Sequence, residues 1–145
     1  MLPNADLELV AIHHVSLPVT DLERSRRFYS EILGLREIKR PPFDFPGAWF
    51  AIGEQQLHLI VGSDSTFREG KSLDARDTHF AIRVTSYTEA LRFLEAKGHR
   101  EDADDKLMKL KASPRSTAGF PQLYILDPDR NVIEINAETL DAEPE

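Results

Sequence analysis

Residues 14–34 read HVSLPVTDLERSRRFYSEILG, and residues 79–98 read HFAIRVTSYTEALRFLEAKG. With His14 set on His79, Val19 falls on Val84, Thr20 on Thr85, Ser25 on Ala90, Arg27 on Arg92 and Phe28 on Phe93. A glycine closes each stretch, Gly34 and Gly98, one residue out of step. Matches this dense in a single register mark an internal repeat, and a repeat constrains the fold before any single element does.

The repeated unit opens with a strand. Val15, Leu17 and Val19 alternate with His14, Ser16 and Pro18, and Phe80, Ile82 and Val84 alternate with His79, Ala81 and Arg83. A helix follows. In the first copy Thr20 or Asp21 can cap it and Gly34 can stop it; in the second, Ser86 and Glu89 form a capping box and Gly98 is the stop. Leu22, Phe28, Tyr29, Ile32 and Leu33 make one apolar helix face, and Ala90, Leu91, Phe93 and Leu94 the other. Strands are then expected over 48–52 and 56–61, joined by Gly53-Glu54, and over 122–126 and 131–136, joined by the Asp127-Pro128-Asp129-Arg130 turn. One further strand per copy is expected near 36–39 and 106–111. Each copy is thus strand, helix and three strands, an α+β arrangement. The chain reads as a single domain with module 1 over about 11–62, a polar linker over 63–76, module 2 over about 77–137 and an acidic tail over 138–145.

The sequence has 145 residues, enough to bury about two-thirds of its unfolded surface in one core. It is 41% hydrophobic and 30% charged, a globular composition rather than a disordered one. Eighteen basic against 25 acidic residues give a net charge of −7 with no clustered basic stripe, which speaks against nucleic acid and anionic membrane as partners. No cysteine is present, which excludes disulfides, cysteine-based metal sites and a cysteine nucleophile, and fits a reducing, cytoplasmic compartment. The start MLPNADLELVAI has no basic region or long apolar run, so no signal peptide is expected, and no stretch approaches membrane-spanning length.

Four metal-capable residues occupy matching places in the repeat. His14 and His79 open the first strand of each copy on its non-core face. The last strands carry LHL and IEI, so period-2 alternation sends His58 and Glu134 to the face opposite Leu57, Leu59, Ile133 and Ile135. If the copies pack with pseudo-twofold symmetry, the four can converge. Three imidazoles and one carboxylate suit Zn(II), Ni(II), Co(II), Mn(II) or Fe(II) and leave two coordination positions for the vicinal oxygens of a substrate. Such an ion acts as a Lewis acid on a carbonyl. A lone strand histidine is more often a hydrogen-bonded structural residue; that reading is kept for His13, expected to face the helix, and for His99.

HHVSLPVTDLERSRRFYSEILGL, QLHLIV, DTHFAIRV and LDPDRNVIEIN together resemble the vicinal oxygen chelate superfamily, which includes glyoxalase I, fosfomycin thiol transferases, methylmalonyl-CoA epimerase, extradiol dioxygenases and bleomycin-resistance proteins. The resemblance runs from about Ile12 to Asn136. It implies two βαβββ modules whose mixed sheets form an incomplete barrel around a divalent metal, in a chain that is usually a homodimer. It carries the metal positions to His14, His58, His79 and Glu134. The chain departs from the family pattern at His58, where Glu or Gln is usual, and at Arg130, where Gly is usual; Asn131 is expected to take the left-handed conformation there instead.

Within the resemblance, the leading expectation is glyoxalase-like lyase or isomerase chemistry, as in lactoylglutathione lyases, with Glu134 both ligand and base. A thiol transferase of the fosfomycin-resistance type is the alternative, with a thiol cosubstrate. Ser16, Trp49, Lys111, Arg115 and Tyr124 are the candidate substrate-binding residues, and Lys106 and Lys109 extend the same basic run. Phe43, Phe45 and Trp49 could line a pocket or simply pack. A ring-cleaving dioxygenase using His14, His79 and Glu134, and a metal-free drug-sequestering protein, complete the set.

Overall fold

In the computed structural model, residues 7–141 are described; the first six residues and the last four of the acidic tail lie outside the described residues. Strand β1 (His14–Val19) leads into helix α1 (Leu22–Arg27), whose N-terminus is capped by Asp21 accepting from the Arg24 N–H. The helix widens into a π turn over Phe28–Ile32 and ends at Gly34, φ 68°. Strands β2 (Arg36–Ile38), β3 (Gly47–Ile52) and β4 (Gln55–Val61) complete the first unit. The second runs β5 (His79–Arg83), α2 (Tyr87–Ala96), β6 (Lys111–Ser113), β7 (Gln122–Leu126) and β8 (Val132–Asn136).

Two four-stranded mixed sheets result, ordered β1-β4-β3-β2 and β5-β8-β7-β6. In each, the first strand lies parallel to the last and the remaining pairs are antiparallel. The repeat holds to the register. Ser16 lies opposite His58 as Ala81 lies opposite Glu134, and Trp49 faces His58 as Tyr124 faces Glu134. On the far edge Ile38 pairs with Trp49 as Lys111 pairs with Tyr124. The architecture is α+β, and among the described residues no strand pair joins the two sheets.

The backs of both sheets share one core. Phe50, Leu57 and Leu59 from the first and Leu123, Ile125, Ile133 and Ile135 from the second are buried with Phe28, Tyr29 and Leu94 from the helices. Each such side chain contributes about 1.5–3 kcal/mol when fully withdrawn from water. Polar bonds tie the units together. The Tyr29 hydroxyl donates to Asp127 at 2.7 Å, and the Thr20 hydroxyl and Ser25 hydroxyl donate to Asp129 at 2.6 and 3.3 Å.

Four local expectations change. The segment near 106–111 is a short 3₁₀ turn, Lys106–Met108, capped by Asp105, and the strand follows it at 111–113. A side-chain acceptor beside free backbone N–H groups favours the turn over extension. The left-handed residue of the last hairpin is Arg130, φ 68°, because Asn131 uses its backbone and side-chain N–H groups to bind Asp127 at 2.8 and 2.9 Å. Phe93 faces solvent with the Lys97 amine over its ring at 5.5 Å, rather than joining the apolar helix face. The capping box at α2 is half formed: Ser86 accepts from the Glu89 N–H, but among the described residues the Glu89 carboxylate does not take the Ser86 N–H in return, and Asp141 instead accepts from the Ser86 hydroxyl and the Tyr87 N–H.

Candidate metal centre

Alternation along β1 and β4 brings His14 and His58 to one face, and the parallel register sets them side by side. Their rings stack at 4.0 Å between centroids, 18° from parallel. Trp49, opposite His58 on β3, covers its other side at 3.9 Å and 3°. His58 is therefore held between two rings. Its Nε2 lies 2.8 Å from the Gln56 amide oxygen, which leaves Nδ1 as the lone-pair nitrogen if Nε2 carries the proton. Burial first, then the positive charge available at His14, His13 and Arg40, pushes the imidazole down to about 4. A neutral ring at pH 7 is the form that binds a metal.

His13 is exposed instead of facing the helix, and its Nδ1 sits 2.8 Å from that of His14. It precedes the first strand residue, so the strand's alternation does not govern it.

On the second sheet, His79 Nε2 lies 3.3 Å from Glu134 Oε1. His79 is exposed and Glu134 is 5% exposed. Asn136 Nδ2 donates to Glu134 Oε2 at 2.6 Å, and Gln122 Nε2 donates to Oε1 at 3.2 Å. The Ser116 hydroxyl in turn donates to the Gln122 amide oxygen at 2.6 Å, and Arg83 Nε donates to the Asn136 amide oxygen at 2.6 Å. Burial and the adjoining Glu134 push the Tyr124 hydroxyl up to about 12, so it stays a neutral donor beside the carboxylate. The Tyr124 ring packs edge-on to His79 at 5.7 Å.

Sequence reasoning misses Gln56, Asn136, Gln122 and Arg83. Three of them are within its reach: Gln56 and Asn136 lie two residues from His58 and Glu134, and Arg83 four from His79, so the same alternation puts each on the ligand face. Gln122 becomes evident only from the β7–β8 register.

The other candidates spread out. Ser16 and Trp49 share the His58 face, and Tyr124 and Lys111 share the Glu134 face. Arg115 lies in the exposed segment before β7, beside a shallow cavity lined by Ser116, Phe120 and Leu140. Phe43 and Phe45 are 46% and 39% exposed, stacked on each other at 5.2 Å with the Arg40 guanidinium over both rings. Phe43 also tilts onto Trp49 at 6.1 Å. His99 is buried as expected of a structural residue, yet its Nδ1 has no hydrogen-bond partner among the described residues.

The four ligand-type residues therefore form two pairs, one per sheet. Among the described residues no three His, Asp or Glu side chains gather as a metal site within the chain. The donor set still fits a borderline divalent ion: a neutral imidazole beside a second imidazole on one face, and an imidazole 3.3 Å from a hydrogen-bonded carboxylate on the other.

The profile of the Glyoxalase/Bleomycin resistance protein/Dioxygenase superfamily matches residues 11–135. Among curated proteins, Glyoxylase I 4 of Arabidopsis thaliana is 28% identical over 141 residues, covering 95% of this chain and 77% of that protein. The fosfomycin resistance protein FosX of Listeria monocytogenes is 24% identical over 139 residues, covering 90% and 91%. Among solved structures, a glyoxalase family protein from Bacillus anthracis aligns with a TM-score of 0.69 at 25% identity, covering 91% of this chain and 98% of its own. A mutant of Listeria monocytogenes FosX, solved with Mn(II) and 1S,2S-dihydroxypropylphosphonic acid, has the same fold, with a TM-score of 0.64 at 20% identity and coverage of 93% and 95%.

Proposed function

Because the chain belongs to the Glyoxalase/Bleomycin resistance protein/Dioxygenase superfamily, we propose that it is a divalent-metal-dependent enzyme. Its chemistry is of the glyoxalase-like lyase or isomerase kind, on a small substrate with vicinal oxygens. The observation that carries this reading is the His79–Glu134 pair on β5 and β8, which repeats the placing of His14 and His58 on β1 and β4. Relatives that bear glyoxalase and fosfomycin-resistance names, one solved with Mn(II), support a divalent ion here.

Two half-sites on separate sheets are completed by pairing two chains. His14 and His58 of one copy meet the second pair of another copy, so the working unit is a homodimer. When bound, the ion supplies Lewis acidity toward the substrate's oxygens. The chain's own residues do the rest. Glu134 accepts the proton beside the substrate carbonyl at a carboxylate oxygen and returns it to the neighbouring carbon. Asn136 and Gln122 hold that carboxylate by its two oxygens, so its position is set before substrate arrives. Tyr124, kept a neutral phenol by burial and by Glu134, stands beside the same carboxylate. Trp49 and His58 form a flat wall that keeps water from one side.

A second reading, a thiol transferase of the fosfomycin-resistance type, is favoured by Lys111 lying in register with Tyr124 on the Glu134 face. The two readings separate by assay: a hemithioacetal of methylglyoxal for the first, an epoxide phosphonate for the second.

Metal content per chain tests the common core. Untagged protein should hold close to one Zn, Ni, Co, Mn or Fe per chain, and His79→Ala should lose it. Co-expressed His14→Ala and His79→Ala chains should regain metal in mixed dimers, because one of the two shared sites is then intact. Absence of binding with all five ions would overturn the enzyme reading in favour of ligand sequestration.

A further inference from the structure

We propose that Arg83 is the anion anchor of the Glu134 face, so that the substrate is a small acid whose carboxylate, phosphate or phosphonate lies over the β5 end of the sheet. The inference rests on the preceding reading only in taking that face as the substrate side.

Arg83 pairs with Asn136 in the β5–β8 register, four residues beyond His79 on the same side of the strand. Two contacts fix its head. Nε donates to the Asn136 amide oxygen at 2.6 Å, and the guanidinium lies over the Phe120 ring at 5.1 Å. Both contacts leave the two Nη groups free: among the described residues they meet no carboxylate and no hydrogen-bond acceptor.

Arg83 is exposed, and an arginine with a free choice of rotamer would lose several torsions on binding. Arg83 has already lost them, so its fork is ready for a planar or tetrahedral anion. Asn136 bridges the fork to Glu134 through 2.6 Å bonds on either side, which fixes the spacing between the anion and the carboxylate that handles the proton. Lys111, on the opposite edge of the sheet, is the competing anchor. A lysine amine is a flexible point charge and selects an anion less sharply than a held guanidinium fork.

The test uses two pairs of probes with the same vicinal oxygens. 3-Phosphoglycerate adds a terminal phosphate to glycerate, and malate adds a second carboxylate to lactate. Each is titrated calorimetrically into the full chain with one equivalent of Mn(II), as wild type, Arg83→Gln, Arg83→Lys and Lys111→Gln. Wild type should bind the member with the additional anionic group in at least one pair roughly tenfold more tightly than its partner, as expected of a charge-assisted bond. The pair that shows the preference identifies phosphate or carboxylate as the ligand. Arg83→Gln should collapse that ratio toward one, Arg83→Lys should restore part of it, and Lys111→Gln should leave it in place.

A role confined to holding Asn136 would weaken both members of a pair alike, so an unchanged ratio in Arg83→Gln overturns the proposal. So does a wild type with no preference or no binding, or a ratio that depends on Lys111 alone. Repeating the titration on chelator-treated protein separates the two readings. An Arg83-dependent preference that survives in a protein shown to take up none of the five ions would sink the metal reading and leave the anchor standing.

Discussion

The hydroxyl of Tyr29 donates to Oδ2 of Asp127 at 2.7 Å, deep in the seam between the first helix and the last hairpin. Asp127 is 1% exposed and has no cationic partner among the described residues; Asn131 and the backbone N–H of Asp129 supply its other bonds. Burial raises its carboxyl above the usual range, and the four donors oppose that shift. The joint between the two repeats is thus a satisfied buried carboxylate.

Tyr29→Phe removes one of those donors and leaves an acceptor without water. It should lower stability by about 1–3 kcal/mol, read as a lower urea midpoint with an unchanged slope. A loss below ~0.5 kcal/mol would mean that the seam relaxes to admit water.

His99 should make the protein less stable in mild acid. Burial holds it below the ordinary histidine value, so the folded state binds its proton less readily than the unfolded chain. Arg24, Arg27 and Lys97 line the cavity beside it, with Glu31 and Asp127 as the acidic groups there. Its contribution is complete above about pH 6.5 and is lost as pH falls below that value, at up to about 1.4 kcal/mol per pH unit. His99→Leu should flatten the decline between about pH 7.5 and 5.5 relative to wild type. Parallel stability curves for the two proteins would refute this.

Gly47 and Gly53 should respond differently to alanine. A methyl at Gly47 would overlap the Leu59 carbonyl oxygen on the adjacent strand, which is backbone and cannot step aside. Gly47→Ala should therefore cost about 1–3 kcal/mol or more through overpacking. Gly53, at φ 56° with open space around it, should cost only about 1 kcal/mol in backbone strain. Thermal denaturation of the two variants would rank them.

Glu134→Gln should reduce turnover by about 10²–10⁴-fold, the range for a lost general base. The fold should survive, because the new amide oxygen still accepts from one of Asn136 and Gln122 and only the other donor loses its acceptor. Circular dichroism of the variant should match wild type. Full activity would remove Glu134 from the proton step.

His58→Ala should weaken metal binding less than His14→Ala or His79→Ala. His58 is wedged between Trp49 and His14 and bonded to Gln56, so part of its role is to hold neighbours in place. Competition titrations with a metal indicator would measure the order, and an equal loss in all three variants would contradict it.

Much of the site is legible in the sequence because its signal is local. Once the repeat aligns His14 with His79, the flanking Leu57, Leu59, Ile133 and Ile135 put His58 and Glu134 on the opposite faces of their strands, and the strand register agrees. His13 escapes this logic because the strand begins one residue after it. The 3₁₀ turn at 106–108 escapes it because a single Asp cap outweighs a weak strand pattern there.

The sequence by itself determined the repeated unit, its strand–helix–strand order and the face on which each ligand-type residue lies. Those follow from alternation, caps and turns that act over a few residues. Tertiary structure alone decided that the four residues stand as two pairs on separate sheets, that Trp49 and His14 enclose His58, and that Arg130 rather than Asn131 turns the last hairpin. Each of these depends on where distant segments pack: the shared core, the Tyr29–Asp127 seam, and the hold of Asp127 on Asn131. Alternation gives a side chain its direction, and only packing between segments far apart in the chain gives it its neighbours.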